Sequence, residues 1–155
     1  MASRLNPYIG FKDDARAAME FYRSVFGGQV GVTTYGDLGM PKEVPGADNV
    51  VFGQVENEHG FRMMAYDIPG QSDDSADRAG STHRENGVTI TDQPFSVSVR
   101  GETLAEVEGY WERLSPGASI VEPLAASAWS PGFGMLTDSF GVTWILDVAV
   151  AHSAE

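Results

Sequence analysis

The sequence predicts an α+β fold made of two modules with the same order, strand–helix–strand–strand–strand. Three observations carry that expectation. Residues 15–26 and 104–114 each show an apolar face at helical period, and each follows a short alternating segment. One constant offset then pairs Ile9 with Val97, Phe11 with Val99, Met19 with Val107, Tyr22 with Tyr110 and Phe26 with Leu114. The identities mostly differ while the apolar pattern repeats, as in a duplicated supersecondary unit. Finally, 155 residues at 42% hydrophobic content can bury one real core. Half of that length could not bury a sheet well by itself, so the two halves are expected to form a single domain.

Residues 4–11, with Tyr8, Ile9 and Phe11, read as the first strand. Asp13 or Asp14 is placed to cap the following helix by accepting a first-turn N–H. Ala15, Ala18, Met19, Tyr22 and Phe26 form its apolar face, and Gly27-Gly28 ends it. Residues 29–35 alternate around β-branched side chains and read as a strand; 36–46 is a Pro- and Gly-containing loop. Residues 49–56 and 61–68 are two strands around the turn Asn57-Glu58-His59-Gly60, which closes module one at 3–68. The stretch 69–92, rich in Gly, Ser, Asp and Arg, reads for most of its length as a mobile connection.

Module two, 93–150, restarts the pattern. Residues 94–99 read as a strand. Thr103 followed by Glu106 has the spacing of a capping box, and Leu104, Val107, Tyr110, Trp111 and Leu114 give the helix an apolar face that Pro116-Gly117 ends. Residues 119–122 form a short strand. Residues 135–137 and 142–148 form a hairpin around Asp138-Ser139-Phe140-Gly141. Trp144 alternates with Ile145, so Trp144 is expected to face the helix.

The formal charge of −12, from 22 acidic and 10 basic residues, disfavours a phosphate-backbone partner, so no nucleic acid is expected. It suits a cationic small molecule, although solubility alone would also account for it. No apolar run approaches the roughly 20 residues of a membrane helix, and the first residues carry no apolar signal segment. The expectation is a cytoplasmic protein with no membrane partner. Cysteine is absent, which removes disulfides, thiolate metal sites and cysteine nucleophiles.

Asn6-Pro7-Tyr8-Ile9-x-Phe11, then Ala15, Ala18, Phe21-Tyr22 and Phe26-Gly27-Gly28, and finally Trp129-x-x-x-Phe133-Gly134-x-x-x-Asp138-x-Phe140-Gly141-x-x-Trp144 resemble the glyoxalase/bleomycin-resistance/dioxygenase (vicinal oxygen chelate) superfamily. Within it the chain is most similar to the PhnB-like group, often labelled 3-demethylubiquinone methyltransferase-like. The resemblance spans nearly the whole chain. It implies paired βαβββ modules, mixed sheets curled around a cavity, and a homodimer. Gly27-Gly28 follows a helix and no Gly-x-Gly-x-x-Gly precedes one, so a methyl donor such as S-adenosylmethionine has no Gly-rich strand-to-helix loop to hold it.

Metal-dependent members of that superfamily hold a divalent ion with His, Glu or Gln from the first and last strands of each module. The corresponding position in the last strand here is Ile145, and Met63-Met64-Ala65 stands in the last strand of module one. Only Asn6 and Gln93 offer an amide oxygen, a weak alternative set for a metal-dependent lyase, isomerase or dioxygenase. The three histidines, His59, His83 and His152, lie in a turn, the connection and the tail. Asp13-Asp14 is accounted for by helix capping and Asp73-Asp74 by a solvated loop. Asp67 and Asp147 fall near strand ends; either could act in the cavity, but solvent exposure is the commoner outcome at such positions. No Gly-x-Ser-x-Gly elbow or Walker loop occurs.

These readings lead to a small-molecule-binding protein without the usual metal ligands and without a cofactor. Its expected cavity residues are Tyr8, Tyr35, Met64, Tyr66, Trp129, Phe133 and Ile145. An antibiotic-sequestering resistance protein and a ligand-free interaction module are the alternatives outside catalysis.

Overall fold

The computed structural model describes residues 3–69 and 82–150. The chain divides after residue 75 into two compact units. The first contains β1 (Tyr8–Phe11), α1 (Ala15–Phe26), β2 (Gln29–Thr34), β3 (Val50–Glu56) and β4 (Arg62–Asp67). Its sheet runs β1-β4-β3-β2. β1 lies parallel to β4, and the other two pairs are antiparallel. Helix α1 is amphipathic and buries Ala15, Ala18, Met19, Tyr22, Val25 and Phe26. It packs on the sheet face that carries Ile9, Phe11, Gly53, Val55, Met63 and Ala65, all of them buried. A Cβ on Gly53 would collide with Met19 of α1, so glycine lets helix and sheet approach closely there. At about 1.5–3 kcal/mol for each large side chain, this layer is the chief stabilising feature of the unit.

The second unit contains β5 (His83–Glu85), β6 (Val88–Ile90), β7 (Val97–Gly101), α2 (Leu104–Leu114), β8 (Ser119–Ala125), β9 (Phe133–Thr137) and β10 (Thr143–Val148). Its main sheet runs β7-β10-β9-β8, with β7 parallel to β10, which repeats the topology of the first unit. Trp144, Leu146 and Leu136 are fully buried. They share the helix side with Gly134, whose missing Cβ would lie 2.7 Å from Cζ3 of Trp111 on α2. Trp144 thus faces the helix, as its alternation with Ile145 predicts. Thr103 caps α2 by accepting the Glu106 N–H at 3.2 Å. The Glu106 carboxylate in turn accepts the N–H of Glu102, one residue ahead of the cap position.

Several local expectations are corrected. The cap of α1 is not made by Asp13 or Asp14: Asp14 holds the N-cap position without a side-chain cap bond. The first-turn N–H of Ala15 is instead taken by Asp67 of β4, at 2.8 Å. Asp67 is accordingly buried, not exposed at a strand end. Only Val107 and Leu114 of the α2 apolar face are buried, while Leu104 remains 39% exposed. β1 begins only at Tyr8 and β7 only at Val97, so Asn6 and Gln93 both stand ahead of the strands.

The connection read over 69–92 holds a β-hairpin at its end. β5 and β6 pair antiparallel, and His83 is a strand residue opposite Ile90. The cause is the turn Asn86-Gly87, where both residues take positive φ, at 52° and 77°. An Asn-Gly pair adopts that geometry readily and its twist suits two flanking strands. Asp73, Asp74 and His152 lie outside the described residues.

Candidate functional site

Each sheet leaves one face away from its helix, and the expected cavity residues fall on those two faces. In the first unit, strand alternation places Tyr8, Gly10, Phe52, Gln54, Met64 and Tyr66 opposite α1. The Tyr8 and Tyr66 ring centroids are 5.1 Å apart, and those of Tyr8 and Phe52 are 6.3 Å apart. Met64 is the β4 partner of Tyr8. Gly10 is the partner of Tyr66, and a Cβ there would come within 3.1 Å of the Tyr66 hydroxyl. Tyr35 follows β2, and its hydroxyl donates to the Asp67 carbonyl at 3.4 Å. Burial lifts the Tyr8 phenol above its ordinary pKa, and the neighbouring Tyr66 and Tyr35 phenols push the same way. Four of the expected residues, Tyr8, Tyr35, Met64 and Tyr66, are therefore one cluster.

This cluster is partly open to solvent: Tyr8 is 50% and Phe52 39% exposed. Phe52 was not among the expected residues. A strand of alternating V-V-F-G-Q-V-E gives no sign of which face is the helix side. The clue was Gly53, since a glycine in a strand interior marks close approach on its own face and so puts Phe52 on the other.

In the second unit Trp129, Phe133 and Ile145 lie on or beside the face opposite α2. Trp129 and Phe133 meet edge to face at 5.2 Å. Ile145 pairs with Met135 across the ladder and is half-buried. Trp129 stands on a short turn in which the Ser127 hydroxyl accepts the Ser130 N–H at 3.1 Å. Ser130 itself is buried, and its single hydroxyl proton is shared between the carbonyls of Gly132 and Val148 at 2.9 and 3.0 Å. That stapling to the end of β10 leaves Trp129 57% exposed.

The donor chemistry of these faces suits a divalent ion poorly. The strand positions away from the helices carry phenols, a thioether, the Gln54 amide, the Ser98 hydroxyl, the methyl groups of Ile145 and one carboxylate, Glu122, which is already 3.7 Å from the Arg84 Nε. Gln93 is exposed and its amide contacts Asp92 at 3.4 Å. Among the described residues no three His, Cys, Asp or Glu side chains are grouped so as to hold one ion. Asp147 is engaged by Arg100 at 3.1 Å.

A groove of about 600 Å³ lies elsewhere in the first unit, between the end of α1 and the β3–β4 turn. It is lined by Phe26 to Gln29 and Glu56 to His59, none of them an expected site residue. Its Glu56 is already bound by Arg62 at 2.6 Å.

The paired four-stranded sheets, each with one covering helix, define a recognisable class. The model of the Glyoxalase/Bleomycin resistance protein/Dioxygenase superfamily matches residues 4–146, and the chain belongs to that superfamily. Protein YjdN of Escherichia coli K12 is 23% identical over 146 residues, 93% of this chain and 94% of that protein. Protein PA1353 of Pseudomonas aeruginosa superposes with a TM-score of 0.71 at 26% identity, over 95% of this chain and 98% of its own. The PhnB protein of Bacillus cereus superposes with a TM-score of 0.67 at 24% identity, over 95% of this chain and all (100%) of its own. The sequence resemblance to the superfamily thus agrees with the family model, and the superposed structures agree with it in fold. Among the described residues no helix is long and apolar enough to cross a membrane.

Proposed function

We propose that the protein binds a small organic cation on the aromatic face of its first unit, without a metal ion. The observation that carries this reading is the convergence of Tyr8, Phe52 and Tyr66, with Met64 and Tyr35 beside them, on a sheet face that stays open. Ring faces attract a cation electrostatically, by about 0.5–2 kcal/mol for each well-placed ring. A net charge of −12 raises the local concentration of cations further. Phenols, a thioether and an amide offer packing and orientation but no acid–base pair near neutrality, which favours binding over chemistry.

Calorimetric titration with benzyltrimethylammonium, set against its neutral carbon isostere, tests the reading. Saturable one-to-one binding of the cation, weaker by a few-fold up to about thirtyfold for the isostere and for Tyr8→Ala, is expected. Equal affinity for both compounds, or stoichiometric tight binding of Ni, Zn or Fe by the purified protein, would overturn it.

A further inference from the structure

The two open faces are not alike. The face of the second unit is covered by the chain's own β5–β6 hairpin, and the contact centres on one cation. Arg84 places its guanidinium carbon 5.7 Å from the centre of the Phe133 ring. Its Nε lies 3.7 Å from a Glu122 carboxylate oxygen, and its Nη1 donates to Thr89 at 2.9 Å. The side chain is 17% exposed, and its Nε is buried without a hydrogen-bond partner. Beside it, the Thr89 hydroxyl points to the Met135 sulfur at 3.6 Å. Phe133, Met135 and Glu122 belong to β9 and β8 on the side away from α2. An aromatic ring and a carboxylate at salt-bridge distance make a receptor for a planar, delocalised cation.

The attachment is weak where a structural clamp would be strong. Each hairpin strand has three residues, and Val88 and Ile90 are 60% and 43% exposed. An isolated two-stranded hairpin has little stability of its own. A guanidinium packed for permanence would use its Nε–H; this one leaves that donor unmet, 3.7 Å from an acceptor.

We propose that the second unit carries a guanidinium-binding pocket between Phe133 and Glu122, and that Arg84 closes it as an internal stand-in ligand. An external guanidinium compound binds there by displacing Arg84 and releasing the hairpin. This site is separate from the aromatic face of the first unit and does not depend on it.

The test uses the full chain and methylguanidinium as the probe, followed by calorimetry and by hydrogen exchange of the hairpin amides. Removal of the internal competitor in Arg84→Ala should tighten methylguanidinium binding at least tenfold over the unsubstituted protein. Arg84→Met, which keeps the apolar stem, should do the same if the alanine variant folds poorly. Adding Glu122→Gln to either variant should abolish the gain, whereas Tyr8→Ala should leave it intact. In the unsubstituted protein, saturating methylguanidinium should speed exchange at Arg84 to Thr89 while β9 and β10 stay protected. Equal affinity with and without Arg84, or a gain that survives Glu122→Gln, would overturn the proposal. A gain lost in Tyr8→Ala would place the probe on the other face and overturn it as well.

Discussion

The indole Nε1 of Trp144 donates to the buried carboxylate of Asp138 at 2.8 Å. The other oxygen of that carboxylate accepts the N–H groups of Phe140 and Val142, at 2.8 and 3.1 Å. One acidic side chain thus folds the β9–β10 turn and satisfies the polar end of the largest core residue. Hydrogen bonds to a charged acceptor contribute about 1.5–3 kcal/mol each, and orphaned buried donors cost more than the bond was worth. Asp138→Ala should therefore destabilise the chain by about 3 kcal/mol or more in urea unfolding. Coupling with Trp144→Phe should reach about 1–3 kcal/mol in a double-mutant cycle. A loss below about 1 kcal/mol for Asp138→Ala would show that the turn is held by its backbone alone.

Asp67 does comparable work in the first unit, with its two oxygens 2.8 Å from the N–H groups of Ala15 and Val50. It ties the start of α1 and the start of β3 to the end of β4. Asn in its place would keep one acceptor but turn an amide N–H₂ toward a backbone donor. Asp67→Asn should cost about 2–4 kcal/mol, on the scale of charge-assisted bonds lost with a donor left unmet. Equilibrium unfolding and the helical circular dichroism signal would report it; a cost near zero would mean that water replaces the carboxylate.

Two adjacent glycines end α1 and are not equivalent. Gly27 has φ of 78° with open space where a Cβ would be. Gly28 has φ of 104°, and its Cβ would overlap the Glu56 carbonyl oxygen and lie 2.9 Å from the Asn57 Cα. Backbone cannot move aside as a side-chain tip can. Gly27→Ala should cost about 1–3 kcal/mol from the backbone alone, since φ of 78° with ψ of −179° is open essentially to glycine. Gly28→Ala should cost clearly more, or prevent folding, and similar values for the pair would contradict the clash.

The fold was readable because local signals agreed with the tertiary plan. Ala15, Met19, Tyr22 and Phe26 are spaced for a helix face, and α1 spans the expected residues. The Asp67 cap was not readable, since its two donors are 52 and 17 residues away in sequence and only the sheet brings them together. The β5–β6 hairpin carried a legible sign in Asn86-Gly87, obscured by the polar composition around it. On the aromatic face, Tyr8, Met64 and Tyr66 were named from an inventory of aromatic and thioether residues, and only the sheet register sets them side by side. The covering of Phe133 by Arg84 was not, because no pattern along the chain predicts which loop crosses which sheet.

The raised pKa of the Tyr8 phenol gives a pH signature. Below about pH 10 the phenol is neutral in folded and unfolded chains alike, and it adds no pH dependence. As pH climbs through that value the unfolded chain releases its proton first, so stability falls between the unfolded and the folded pKa. Absorbance at 295 nm should show, in the difference between the unsubstituted protein and Tyr8→Phe, a phenol titrating above the ordinary 10.0. A difference curve centred at or below that value would mean that the ring is not desolvated by its neighbours.

Stability and binding should separate on the open face of the first unit. Tyr8 and Phe52 are 50% and 39% exposed, so truncating either removes only part of the buried area that a fully buried ring such as Trp144, at 0% exposed, would lose. Tyr8→Ala and Phe52→Ala should each shift unfolding by about 1–2 kcal/mol, below the loss expected for a fully buried aromatic. The same rings form most of the surface offered to a cation. At about 0.5–2 kcal/mol for a ring contact, each truncation should weaken benzyltrimethylammonium up to about thirtyfold, and the pair more than either alone. Tyr8→Phe keeps the ring and should retain most of the affinity, because the attraction resides in the ring face and not in the hydroxyl. Loss of affinity in Tyr8→Phe as large as in Tyr8→Ala would instead assign recognition to the phenol hydroxyl, and with it a ligand that offers a hydrogen-bonding group at that position.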